Sequence, residues 1–310
     1  MALSGSVDFS LNRDQALNLA FELIQVKDPD RDLTATQSTT GQRVLNMMLK
    51  EWGANGLHLW KTDEGVIIPA LETRSFSLGP SGTNACLKSD LVQTTVDGQQ
   101  TSVTTSITVA STTGMAASDT VLIEVDEALV SRTVNAVSSA TVFTVTSTLG
   151  SVTLDDGAFV YAYTSKVERP NRILSARVID SDSETPMDVG AREQYFSVPN
   201  KDADGVPTQL FYDPKLTNGT AYIWPRFESV RKYIQFTFER QIQDMDSASD
   251  DFDFPPEWSW PIVTNIAERL LLFFPGTTPE QRAYVKAEAE ASFDRLMDLS
   301  QETGSVFFTP

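Results

Sequence analysis

The chain has 310 residues, 41% of them hydrophobic, and carries a formal net charge of −18. That length supplies enough apolar surface for two domains with cores of their own. The charge excludes a surface built to grip phosphates, which needs Lys and Arg, although an acidic protein can stand beside DNA where its task is to let DNA pass without sticking.

Residues Asn12 to Val26 predict a first helix. Asn12 is a good cap, Gln15 is placed to complete a capping box, and Ala16, Leu17, Ala20, Leu23 and Ile24 form one apolar stripe. A polar loop, Lys27 to Leu33, leads to a second helix within Thr36 to Trp52. Its stripe is Val44, Leu45, Met48, Leu49 and Trp52, closed by Gly53 or Gly56. Two such helices cannot bury both stripes against each other alone, so the helices at the far end of the chain are expected to join them in one bundle. After Gly56 the period changes. Leu57 to Trp60 and Thr73 to Leu78 read as extended, and Gly79-Pro80-Ser81-Gly82 as a turn.

From about Asp90 to Thr164, Thr, Ser and Val dominate and Pro is absent. Short β-type runs at Val103–Val109, Val121–Val125, Thr133–Val137, Val142–Thr146 and Phe159–Tyr163 alternate with turn residues, the spacing of a small all-β barrel or sandwich. Beyond Lys166, strands are expected at Arg172–Val178, Gln209–Tyr212, Ala221–Trp224 and Lys232–Phe238, with Asn218-Gly219 turning two of them back on each other. An acidic loop, Gln243 to Asp253, precedes the last helix pair. Pro261 suits a first turn, and Ile262, Val263, Ile266, Ala267, Leu270 and Leu271 recur at helical spacing until Pro275-Gly276. Thr278-Pro279-Glu280-Gln281 opens the second helix with a capping box, and its inner face is Val285, Ala289, Phe293 and Leu296, the small Ala implying close approach to another helix.

The expected fold is therefore α+β. A helical-bundle core with a small β-sheet, built from residues 1–89 and 166–310, is interrupted by an inserted all-β module at 90–165. Trp52, Trp60, Trp224, Trp258, Ile266 and Leu270 are its expected core-defining residues. The tail, Gly304 to Pro310, places Val306, Phe307, Phe308 and Pro310 beyond any helix, where they suit packing on a partner.

Residues for chemistry are few. His58 is the single histidine and lies between Leu57 and Leu59 with no Gly-x-Ser-x-Gly turn in the chain, so a structural role is expected. No Gly-rich phosphate loop is present. Asp244, Asp246, Asp250, Asp251 and Asp253 lack the Gly and closing Glu of a calcium loop and read as solvated. Asn218-Gly219-Thr220 reads as a turn and not as a glycosylation site. The aromatics Phe211, Tyr212, Tyr222 and Trp224 suit a sugar groove or, more simply, a core. Cys86 is alone, which excludes an internal disulfide and fits a reducing compartment. Met1 to Val7 lacks a signal-peptide pattern, and the apolar run Leu270 to Phe274 is too short for a bilayer, so a soluble protein made in a cytoplasm is expected. No catalytic residue, cofactor or metal site is assigned.

Without the β insert, the sequence resembles the head-to-tail adaptor (head-completion) proteins of short-tailed bacteriophages. The resemblance lies in the order of short motifs: LNMMLKEWGANGLHLW (Leu45 to Trp60), FSLGPSG (Phe76 to Gly82), RPNRI (Arg169 to Ile173), EQYFSVPNK (Glu193 to Lys201), GVPTQLFYD (Gly205 to Asp213), YIWP (Tyr222 to Pro225) and FPPEWSWPIVTNIAERLLL (Phe254 to Leu272). No single motif is specific; their order spans roughly three quarters of the chain. The resemblance implies a structural virion protein that forms a ring, usually a dodecamer, beneath the portal. The ring extends the DNA channel and presents attachment sites for the tail nozzle and often for tail fibres. It also implies that the C-terminal segment reaches the portal, which would give Val306, Phe307 and Phe308 their partner. DNA would pass through such a ring without sequence-specific binding, and no membrane is involved. The insert is a departure from simpler members, and its composition suggests an outward docking role for fibre or nozzle. A virion glycan- or receptor-binding protein, with the insert as its binding unit, and a peptidoglycan hydrolase are the alternatives.

Overall fold

The computed structural model describes residues 9–54 and 61–299. The chain divides into two compact units, Met1–Lys61 with Ile242–Pro310, and Thr62–Gln241. Among the described residues the helices are α1 (Arg13–Leu23), α2 (Ala35–Ala54), α3 (Arg192–Ser197), α4 (Ser259–Leu270) and α5 (Pro279–Leu299).

The first unit holds α1, α2, α4 and α5. The capping box of α1 forms as its sequence requires: Asn12 Oδ1 accepts from the Gln15 N–H at 2.9 Å, and Gln15 Oε1 accepts from the Asn12 N–H at 3.1 Å. Thr34 and Gln37 repeat the device ahead of α2. At α5 only half of the predicted box appears. Thr278 caps the Gln281 N–H, but the Gln281 amide donates to the Leu23 carbonyl at 2.8 Å and so fastens α5 to the end of α1. Leu17, Phe21, Leu45, Leu49, Ile262 and Ile266 share one apolar cluster in which Trp52 lies edge-on to Trp258. Trp52, Trp258, Ile266 and Leu270 are buried as expected. Trp60 and His58 lie outside the described residues, as does the side chain of Leu296.

The second unit is β throughout except for α3 and one short 3-10 turn. An eight-stranded sheet runs in the order Ser75–Leu78, Gly219–Trp224, Gln209–Asp213, Ser183–Val189, Arg172–Asp180, Tyr233–Glu239, Thr62–Ile67, Ala85–Leu87. All its neighbours are antiparallel except Ser183–Val189 against Gln209–Asp213. Tyr233–Glu239 is sandwiched between two long partners, and six of its seven residues are buried. Gly65 sits opposite Phe236, and a Cβ there would meet the Phe236 ring at 2.5 Å, so the strand needs glycine at that point.

Residues from Val92 to Tyr163 form a second sheet of six strands in the order Val92–Thr95, Phe159–Tyr163, Thr120–Val125, Ala128–Val137, Val142–Val145, Ser106–Thr108. The Val96–Val109 bridge brings its two outer strands together, so the sheet curls into a nearly closed barrel that buries Val121, Ile123, Phe143 and Val160. Closure removes the exposed edges that such Thr- and Val-rich strands would otherwise offer.

Among the described residues strands account for 34% and helices for 26%, which overturns the expected helical-bundle core with a small β-sheet. The chain is mostly β, organised around large curled sheets. The sequence overstated the helices because caps and 3.6-residue stripes are local signals, whereas the sheet pairs strands far apart in sequence, Thr62 with Glu239 and Ser75 with Tyr222. Thr62–Ile67 carries Asp63, Glu64 and Gly65, and Ser183–Val189 carries Pro186; neither reads as a strand by propensity. Pro186 is tolerated because its strand pairs with Gln209–Asp213 only at Asp188 and Val189. Trp224 belongs to this sheet and is half-buried, not a core residue.

Candidate functional site

Several of the short motifs singled out in the sequence meet on one part of the eight-stranded sheet. Phe211 and Tyr222 face each other across neighbouring strands, their rings stacked at 5.7 Å and 14°. α3 lies over them and supplies two more rings. Tyr195 is 5.2 Å from Tyr222, and Phe196 packs edge-on against Phe211 at 6.2 Å. Two cations close the cluster, Arg192 at 5.0 Å over the Phe196 ring and Lys201 at 5.7 Å over Tyr195. Lys201 is held there by the Val198 carbonyl at 2.8 Å.

At one end of these strands the Trp224 indole donates to the Asn200 carbonyl at 2.7 Å, and Arg226 binds both carboxylate oxygens of Asp204. At the other, the Tyr212 phenol donates to the Pro170 carbonyl at 2.7 Å and Arg169 donates to the Lys215 carbonyl at 3.2 Å. Asn218 reaches Ser81 in the turn before Gly82, and a Cβ at Gly219 would collide with the Tyr212 ring. The two strands do turn back on each other, but through the longer loop at 214–218. Gly219 is already paired in its strand, so the tight Asn218-Gly219 turn expected from the sequence does not form. The segments quoted as RPNRI, EQYFSVPNK, GVPTQLFYD, YIWP and FSLGPSG are joined here by direct contacts.

This arrangement packs; it does not form an open platform. Of the four aromatics weighed as a sugar groove, Phe211 is 8% exposed and its face is taken by Tyr222 and Tyr195. Burial pushes the Tyr195 phenol above its ordinary range, and its hydroxyl has no hydrogen-bond partner within the described residues. Phe196, by contrast, is 47% exposed with Arg192 across its ring, a pairing typical of protein contacts.

A second polar feature escaped the sequence reading. Arg177 reaches Glu64 at 3.0 Å and Glu184 at 3.1 Å, and Gln235 donates to the same Glu64 at 2.7 Å, a network that stitches four strands. Its members lie on separate strands, and no spacing in the sequence relates them.

The acidic loop holds a cation of its own. The Arg13 guanidinium donates to the Asp246 carbonyl at 2.9 Å and to Asp14 at 2.9 Å, while the Arg13 and Asp14 amides bind the carbonyls of Asp250 and Ala248. Among the described residues no three His, Cys, Asp or Glu side chains are placed to hold a metal. Cys86 is buried.

Large apolar side chains are exposed mainly on the helical unit, where Trp260, Leu272, Phe273 and Tyr284 are between 46% and 85% exposed. No helix among the described residues is long and apolar enough to cross a membrane. Val306, Phe307, Phe308 and Pro310 lie outside the described residues. No protein-family model matches the chain, and no curated protein matches it.

Proposed function

We propose that this chain is a structural virion protein, a ring-forming head-to-tail adaptor of a short-tailed bacteriophage. It docks beneath the portal, extends the DNA channel, and offers attachment sites to the tail nozzle and tail fibres. Its mechanism is the fit of repeated interfaces. The observation that carries the reading is the ordered set of motifs that resemble this family, five of which pack together on one sheet.

Charge and surface support it. A net charge of −18 per subunit would repel DNA phosphates and keep a passage non-adhesive. The exposed aromatic and aliphatic side chains of the helical unit are costly to leave in water and suit burial between subunits. Repeated copies around an axis bury such surfaces without any catalytic constellation.

The test is an image of the purified chain mixed with its portal, with mass photometry of the same mixture. A ring seated on the portal, lost on removing Gly304 to Pro310, is the expected result. A chain that never joins the portal and cleaves cell-wall polymer would overturn the proposal.

A further inference from the structure

Asparagine followed by glycine is especially open to spontaneous deamidation, because glycine has no side chain to shield its amide nitrogen and lets the backbone bend. The sequence holds two such pairs, Asn55-Gly56 and Asn218-Gly219, and the second lies among the described residues. The reaction needs only the chain and water. The Gly219 nitrogen attacks the Asn218 side-chain carbon Cγ and a succinimide ring closes. The nitrogen's proton and the side-chain NH2 leave together as ammonia. Water then opens one or the other ring carbonyl, giving aspartate or isoaspartate.

The fold restrains both reacting groups. Asn218 Nδ2 donates to Ser81 Oγ at 2.5 Å, and the Ser81 N–H donates to Asn218 Oδ1 at 3.4 Å, so the turn at 79–82 grips both ends of the amide. Ser81 is 137 positions away in sequence, and the clasp therefore exists only in the folded chain. The same turn presses on the backbone, since a Cβ on Gly79 would meet the Asn218 Cα at 3.0 Å. Gly219 is buried and paired with Leu78, and a Cβ there would strike the Tyr212 ring. For Cγ to reach the Gly219 nitrogen, the amide must turn out of the clasp and the backbone must leave its strand.

We infer that Asn218 is a latent modification site, closed by Ser81 and opened when the turn at 79–82 parts from strand Gly219–Trp224. An aspartate at this place keeps the Ser81 N–H as a donor and accepts from the Ser81 hydroxyl as well, so that product fits. Isoaspartate lengthens the backbone by one carbon beside Gly219, where Leu78 and the Tyr212 ring leave no room for it. That product loosens the Ser75–Leu78 edge of the sheet.

The test ages the full chain at mildly alkaline pH, native and in urea, and follows the two Asn-Gly peptides by mass spectrometry. In urea Asn55 and Asn218 should convert at similar rates, because sequence alone sets them. In the native chain Asn218 should convert at least about tenfold more slowly than in urea. Ser81→Ala removes the hydroxyl acceptor and should speed the native rate roughly two- to tenfold, the worth of one hydrogen bond, and Ser81→Thr should bring it back toward wild type. A native wild-type chain that converts Asn218 as fast as in urea overturns the inference. So does a Ser81→Ala chain that is folded by circular dichroism and converts at the wild-type rate. The comparison of native chain with urea needs no variant, so it decides the matter even if Ser81→Ala fails to fold. Fractions of aged chain that carry isoaspartate at this position should exchange amide hydrogens faster along Ser75–Leu78 than Asn218→Asp does; equal exchange would overturn the loosening of that edge.

Discussion

Tyr161, on the barrel, donates a 2.9 Å hydrogen bond to the carbonyl of Val230, in the turn that precedes strand Tyr233–Glu239 of the larger sheet. Both residues are buried, and the Tyr161 ring meets Tyr233 edge-on at 6.3 Å. Around this bond, Leu122 and Tyr163 of the barrel share one apolar cluster with Val66, Ile68 and Ile179 of the sheet. The barrel is therefore folded onto its host. Tyr161→Phe keeps the ring and removes the donor, leaving the Val230 carbonyl without its partner in a dry site. The expected cost is about 1–3 kcal/mol of stability, read as a lower urea midpoint. An unchanged midpoint would mean that the bond is replaced by water and that the packing alone holds the two sheets.

Buried titratable groups make the protein sensitive to alkali. Burial, with Asp90 adding to it, pushes the Cys86 thiol from 9.0 up to about 12, and burial pushes the Tyr212 phenol from 10.0 up to about 12. Both groups keep their protons in the fold and release them sooner in the unfolded chain. Their contribution is complete below about pH 9 and is lost as the pH rises through about 12. Urea midpoints measured at several values across that window should fall steadily, and Cys86→Ala should flatten the first part of the slope. A thiol reagent should leave Cys86 untouched until urea opens the fold. Rapid labelling of the native chain would contradict the burial.

How much of this was legible in the sequence depends on the range of the signal. Asn12 and Gln15 are three residues apart, and their cap could be read directly; the reversal between Gln209–Asp213 and Gly219–Trp224 could be read too, though not its longer loop. The strands at Val142–Val145 and Phe159–Tyr163 were marked by alternation and by flanking turns. Illegible were the pairings between distant strands, and with them the weight of β structure in the whole. Thr62–Ile67 is a strand because Tyr233–Glu239 and Ala85–Leu87 flank it, not because Asp63 and Glu64 favour one. The quoted motifs include the segments that meet around Phe211, but nothing in them shows that α3 would cover it.

Arg13 offers a test of how the acidic loop is held. Its side chain is 8% exposed and ties the start of α1 to the Asp246 carbonyl and to Asp14, while Gln42 and Asn46 of α2 bind the same loop at Met245. Arg13→Ala removes a charge-assisted bond from a nearly buried place and should cost about 1–3 kcal/mol. Hydrogen exchange should quicken at Arg13 and Asp14, whose amides bind the loop carbonyls. Arg13→Lys should recover part of the loss, since one ammonium can reach one acceptor but not both. Added calcium should leave the wild-type midpoint unchanged, because the loop carbonyls already have their donors.

Ala289 tests the close approach of α4 and α5. It is fully buried, and its carbonyl accepts from the Asn265 amide at 3.2 Å and from the Ser292 hydroxyl at 3.0 Å. Thr264 and Ser292 meet beside it at 2.9 Å, so the two helices are joined by short polar side chains and leave little room for a larger one. Ala289→Leu inserts three carbons into that seam and should cost about 1–3 kcal/mol or more through forced rotamers and separated helices. Glu290→Leu, one position along and facing solvent, should stay within about 0.5 kcal/mol and controls for helix propensity and added apolar surface. Thermal unfolding of the two variants decides the matter. Equal midpoints would show that α5 can move away from α4 at no cost, and the packing described for this helix pair would then be wrong.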